Sequence, residues 1–157
     1  MKKIWLAFLY IPFTIFAQPK QKFQPAQKWV DSVYNQMSFD EKVGQLFMVA
    51  AYSNRDSKHV QELLDLVKSK NIGGVIFFQG GPGRQAHMTN KLQQASKLPL
   101  FVGIDAEWGL GMRLDSTYVY PWNMTLGAVQ KNDLIQQMGT QMAAQSKRMG
   151  IHFMFAP

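Results

Sequence analysis

At 157 residues and 46% hydrophobic, the chain has the size of one domain and enough apolar content to bury a core. It has no cysteine, which excludes disulfides, thiolate metal sites, a cysteine nucleophile and a lipid-modified cysteine near the amino terminus. The formal charge of +7 is spread along the chain, and no basic run interleaves with aromatics, so a nucleic-acid partner is not expected.

Lys2 and Lys3 precede an apolar run from Ile4 to Ala17, too short to span a bilayer comfortably. This reads as a secretory signal peptide over residues 1–17, hence an exported protein, periplasmic or extracellular. Ile15 is large for the third position before a cut, which keeps an uncleaved anchor as the alternative. Residues 18–27 mix Gln, Lys and Pro without periodicity and read as a linker. A short helix is expected from Lys28 to Met37. Ser38 stands three residues before Glu41, the capping-box spacing, so a brief helix should start at Phe39.

Leu46 to Ala51 reads as a first strand. Val60, Leu63, Leu64 and Val67 then mark one face of a helix from Ser57 to Lys70. Gly73 and Gly74 precede a second strand, Val75 to Phe78. Gly80-Gly81-Pro82-Gly83 is expected to be a loop, with a helix beyond it to Ser96; Arg84 follows without the Lys-Ser/Thr ending of a phosphate loop. Pro99 to Ile104 reads as a third strand. After a long loop, Asn132 should cap a helix through Met149, Gly150 should end it, and Ile151 to Phe155 should form a fourth strand. Continuous apolar strands alternating with helices indicate α/β architecture with parallel units covered on both faces. Four units are half of a (β/α)8 TIM-type barrel, or an incomplete open sheet; a complete barrel needs about 250 residues. The expectation for residues 28–157 is therefore the first half of a barrel domain, a piece of something larger.

The densest polar chemistry follows the third strand, in Asp105-Ala106-Glu107-Trp108-Gly109-Leu110-Gly111-Met112-Arg113. Ligands bind at such strand ends because side chains there converge on one mouth. Asp105 and Glu107 point to one side of an extended chain, so they cannot flank a scissile bond as a glycosidase pair must. Asp105 is expected to contact a ligand and Glu107 to brace the loop; the plainer reading has both bonding backbone amides. Arg113 offers a planar fork of donors suited to paired hydroxyls or a carboxylate, or to a surface ion pair. Trp108 either stacks on a sugar ring or closes the top of the core.

His59, His87 and His152 lack metal-ligand spacing. The first two are expected on helices in solvent, and His152 in the interior of the fourth strand. No Gly-x-Ser-x-Gly elbow occurs. The methionines read as core filler.

Together these segments resemble the amino-terminal catalytic domain of family 3 glycoside hydrolases, especially the β-N-acetylhexosaminidase branch. Four stretches carry the resemblance: Ser38 to Val49, Gly73 to Phe78, Asp105 to Leu114, and Pro121 to Ala128 continuing to Gly150–Pro157. It implies a (β/α)8 barrel, retaining hydrolysis of a β-linked amino-sugar glycan, no metal or organic cofactor, and substrate-binding roles for Asp105 and Arg113. Trp108 departs from the family's paired glycines. The family's Lys-His segment, acid/base loop and aspartate nucleophile lie beyond the fourth strand, so the chain as given is expected to bind without turning over substrate. A β-glucosidase of the same family and a non-catalytic glycan-binding module are the alternatives.

Overall fold

The computed structural model describes residues 26–156; the proposed signal peptide and residues 18–25 of the proposed linker lie outside them. Two compact units divide between Asn35 and Gln36. Helix α1 (Gln27–Gln36) is essentially the described part of the first. Trp29, Val30, Val33 and Tyr34 follow its helical period, and Gln27 Nε2 donates to Asp31 Oδ1 at 2.8 Å, one turn on. Gln27 thus begins the helix rather than ending a linker.

The second unit contains α2 (Phe39–Gly44), β1 (Met48–Ala51), α3 (Ser57–Lys70), β2 (Gly74–Phe77), α4 (Pro82–Ala95), β3 (Phe101–Asp105), α5 (Asn123–Leu126), α6 (Asn132–Arg148) and β4 (Phe153–Phe155), with a 3-10 turn at Leu110–Met112. The capping box forms as expected. Glu41 N–H donates to Ser38 Oγ at 3.2 Å and Ser38 N–H to Glu41 Oε2 at 2.8 Å. Lys97 Nζ, 2.7 Å from the other carboxylate oxygen, is the main reason the Glu41 carboxyl lies below its ordinary range, with the Ser38 amide second.

Two helix starts differ from expectation. The helix α4 begins at Pro82, so Gly83 and Arg84 lie within it and only Gly80 and Gly81 precede it. Proline at the first helical position lacks only an amide that would be unpaired there. Asn132 is the first residue of α6 and not its cap; Lys131 holds the cap position with no side-chain bond. The end of α6 is as expected. Gly150 takes φ 68°, its amide donating to Lys147 O at 3.2 Å and that of Ile151 to Ser146 O at 2.9 Å, a Schellman closure.

All pairings are parallel, in the order β1-β2-β3-β4. Ala51, Phe77 and Ile104 align across three strands, as do Val49, Val75 and Val102. These residues face α3 and α4, whose Leu63, Leu64, Val67, Met88 and Leu92 complete the core. Full burial of a side chain such as Phe77 stabilises by about 1.5–3 kcal/mol.

The other face differs from the expectation of two covered faces. Within the second unit α3 and α4 pack on one side, and Phe101, Phe153 and Phe155 on the opposite side are 54%, 45% and 50% exposed. Sequential strand order explains this. Right-handed crossovers that always step the same way leave every helix on one face, whereas a doubly wound sheet reverses direction. No described helix is long and apolar enough to cross a membrane.

Candidate functional site

Asp105 closes β3 on the open face, in step with Phe101 and Gly103. Its partner in register is Phe155, whose carbonyl accepts from Ala106 N–H at 3.2 Å. The chain then reverses tightly. Gly109 N–H donates to Ala106 O at 3.1 Å, and the Leu110–Met112 turn ends with Leu114 N–H on Leu110 O at 2.8 Å. This reversal brings Arg113 back over the end of its own strand. Its Nε–H donates to Asp105 O at 2.9 Å, and its Nη2 forms an ion pair with Asp105 Oδ2.

The Arg113 and Asp105 side chains are 19% and 27% exposed, screened but reachable. The Phe78 ring lies 5.0 Å below the Arg113 guanidinium, within cation–π range. Asp105 and Arg113, read separately from the sequence, therefore form one unit. Asp105 Oδ1 and Arg113 Nη1 have no hydrogen bond among the described residues. An acceptor beside a donor fits neighbouring hydroxyls on one molecule.

Backbone bonds fix this unit from behind. Gly80 pairs with Leu114: its amide donates to Arg113 O at 3.1 Å, and its carbonyl accepts from Asp115 N–H at 2.8 Å. Arg84, in the first turn of α4, forms an ion pair with Asp115. The loop after β3 is thus anchored to the loop after β2. Gly109 is needed at the bend: its φ is 86°, and a Cβ there would stand 2.6 Å from Tyr120 Cδ2. The Tyr120 hydroxyl in turn meets Gln141 Oε1 at 3.1 Å on α6.

Other expected roles fare differently. Glu107 does not brace the loop through its carboxylate, which has no hydrogen-bond partner among the described residues; its amide donates to Met112 Sδ at 3.3 Å. The bracing comes instead from Arg113 and the Gly80 bridge. Trp108 packs against Trp122, ring centres 5.6 Å apart and tilted by 37°. His87 is exposed as expected. His59 is half-buried and accepts Tyr52 N–H on Nε2 at 3.1 Å. Desolvation, then the nearby Arg55 charge, lowers its pKa from 6.5.

His152 corrects another expectation, being exposed and one residue ahead of β4. It is nonetheless bonded, accepting Val102 N–H on Nδ1 at 3.0 Å while its own amide donates to Val102 O at 2.8 Å. Among the described residues no group of three or more His, Cys, Asp or Glu could hold a metal ion. A cavity of about 670 Å³ beside Glu41, Phe47 and Lys70 opens at the opposite end of the strands and does not belong to this site.

Sequence reasoning missed Phe78, Gly80, Arg84 and Asp115 as supports. Only Phe78 had a local signal, as the last apolar residue of the second strand.

The model for the glycosyl hydrolase family 3 N terminal domain matches residues 38–157. A beta-N-acetylglucosaminidase/beta-glucosidase of Cellulomonas fimi is 26% identical over 129 residues, covering 82% of this chain and 22% of that protein. Beta-hexosaminidase A of Pseudoalteromonas piscicida is 31% identical over 109 residues, covering 61% of this chain and 18% of its own length. The chain thus spans about a fifth of the length of these two relatives. Among solved structures, a beta-glucoside phosphorylase, BglX, bound to 2FGlc superposes with a TM-score of 0.75 at 23% identity, covering 88% of this chain and 25% of the other. That likeness concerns the fold.

Proposed function

The chain belongs to the glycosyl hydrolase family 3 N-terminal domain family, and from that premise we propose that it holds the sugar-gripping part of an exported β-N-acetylhexosaminidase. The observation that carries this reading is the joined Asp105–Arg113 pair at the carboxyl end of β3. Its free carboxylate oxygen accepts from one hydroxyl of an amino sugar, and the guanidinium donates to a neighbouring oxygen. Phe78 beneath the guanidinium gives the planar fork a surface to lie over, and the Gly80 bridge keeps it in place.

Sequential parallel strands with helices on one face support a (β/α)8 barrel as the complete architecture. Catalysis by retention needs two carboxyl groups about 5–5.5 Å apart on either side of the glycosidic bond. Asp105 and Glu107 approach from one strand end, so this region grips the sugar and does not cut it.

Titration of the chain with N-acetylglucosamine oligosaccharides and with β-glucosides tests the reading. We expect binding of the amino sugar, its loss in Asp105→Ala and Arg113→Ala, and no hydrolysis of chromogenic substrates. Unchanged affinity in both variants would sink the site assignment. The Cellulomonas relative, whose name carries both activities, favours a second reading as a β-glucosidase; tighter binding of the glucoside would select it.

A further inference from the structure

Behind the rim, the beginnings of α3 and α4 leave a groove of about 500 Å³. Its basic lining comes from two segments. Arg55 precedes α3, and Arg84, His87 and Lys91 follow one another on one face of α4 at helical spacing. No carboxylate lines it among the described residues. Asp56, next to Arg55, is committed to capping α3 through His59 N–H at 3.1 Å, and Asp115 pairs with Arg84 and accepts from Ser116 Oγ. Arg55 lies 3.7 Å over the Tyr52 ring, which fixes its position and leaves its charge in place. His87 and Lys91 make no hydrogen bond or ion pair among the described residues.

Cations gathered along a groove raise the local potential and concentrate anions there. The guanidinium fork of Arg55 matches a planar carboxylate. Val60 and Met88 add an apolar floor against which the C–H face of a sugar can lie, and Ser57 adds a hydroxyl. Single-stranded nucleic acid would require stacking aromatics, and none lines the groove among the described residues.

We propose that this groove is a second carbohydrate-contact site, one that takes the carboxylate of an acidic saccharide independently of Asp105 and Arg113. Arg84 reaches both regions, since its partner Asp115 lies two residues beyond Arg113. An acidic glycan can therefore lie along the outside of the rim while a neutral ring occupies the strand ends.

The test is calorimetric titration of the 157-residue chain with an oligogalacturonate, a neutral chito-oligosaccharide and duplex DNA. It is run at ionic strengths of about 0.01 M and about 0.15 M, which separate screened from unscreened charge. The double variant His87→Glu, Lys91→Glu should bind the oligogalacturonate roughly tenfold more weakly. Gly83→Asp is the second probe: Gly83 lines the groove, and a Cβ there meets nothing within 4 Å. Its new carboxylate should weaken the same ligand while leaving the melting temperature intact. Asp105→Asn should leave the oligogalacturonate unaffected and weaken only the neutral sugar. The proposal is overturned if the wild-type chain does not bind oligogalacturonate, if both groove variants bind it normally, or if Asp105→Asn weakens it as much. It is also overturned if DNA binds as tightly, because affinity would then follow charge alone. If the wild-type chain binds oligogalacturonate but not the neutral sugar, the strand-end grip fails and the groove stands.

Discussion

The two faces of the sheet are built from the same strands and serve different ends. On the covered face, Phe77, Ile104, Val75 and Val102 are buried under α3 and α4. On the open face, Met48, Ile76 and Phe155 cluster around Gly103, where an added Cβ would lie 3.0 Å from the Phe155 ring. The covered face carries packing energy, while the open face leads upward to Asp105 and Arg113. Stability and ligand chemistry are thereby placed on opposite sides of one layer, so each can be altered with limited effect on the other.

The largest test of that division compares two phenylalanines. Phe77→Ala should cost about 3–5 kcal/mol in chemical denaturation, and Phe101→Ala less than about 1 kcal/mol. Equal costs would mean that the open face is covered in solution. Next comes Gly109→Ala at the rim, which combines a left-handed backbone with a collision against Tyr120. It should lose about 1–3 kcal/mol and displace Arg113, so that sugar affinity falls as well; a fall in stability alone would uncouple the bend from the grip.

Asp105→Asn should be milder in stability, about 1 kcal/mol or less, yet sharply weaken neutral-sugar binding. If melting suffered more than binding, the pair would belong with the scaffold.

The smallest effect is pH-dependent. His59 is held neutral on the helix-covered side, so the unfolded chain takes up its proton first as pH falls below 6.5. The stability from neutral His59 is complete above that value and is lost as pH drops through the depressed folded pKa. Thermal melts of His59→Gln should lack this component while keeping the loss at lower pH, where Glu41 is protonated. An unchanged profile in the variant would clear His59 of the role.

Much of the scaffold was legible because it depends on short-range chemistry. The Ser38–Glu41 box, the apolar face of α3 and the Gly150 stop all involve residues within a few positions of each other. Strand existence was equally readable, but an unbroken apolar run such as Phe101 to Ile104 does not say which face a helix will cover. That depends on the direction of successive crossovers. The helix start at Pro82 was available in principle, since proline favours the first helical position, but the surrounding glycines suggested a turn. The short helix α5 had neither length nor a side-chain cap to announce it.

At the site, the family resemblance gave Asp105 and Arg113 a common task, while their mutual ion pair required the intervening 3-10 turn. The Gly80 bridge joins backbones distant in sequence and left no mark in either segment. His152 was misplaced for a related reason: its ring substitutes for a ladder partner at Val102, an arrangement no local pattern signals.

The strand order carries a kinetic consequence. Among the described strands, β2, β3 and β4 each pair with the strand a ribosome released just before. Each new unit can dock on an edge already formed, which keeps the loops that must close short and favours stepwise assembly. The long excursion from β3 through α5 and α6 to β4 breaks this rhythm. Until β4 arrives, the β3 edge that carries Asp105 is the exposed growing end, and the pairing beside the sugar grip must close the longest loop of the three.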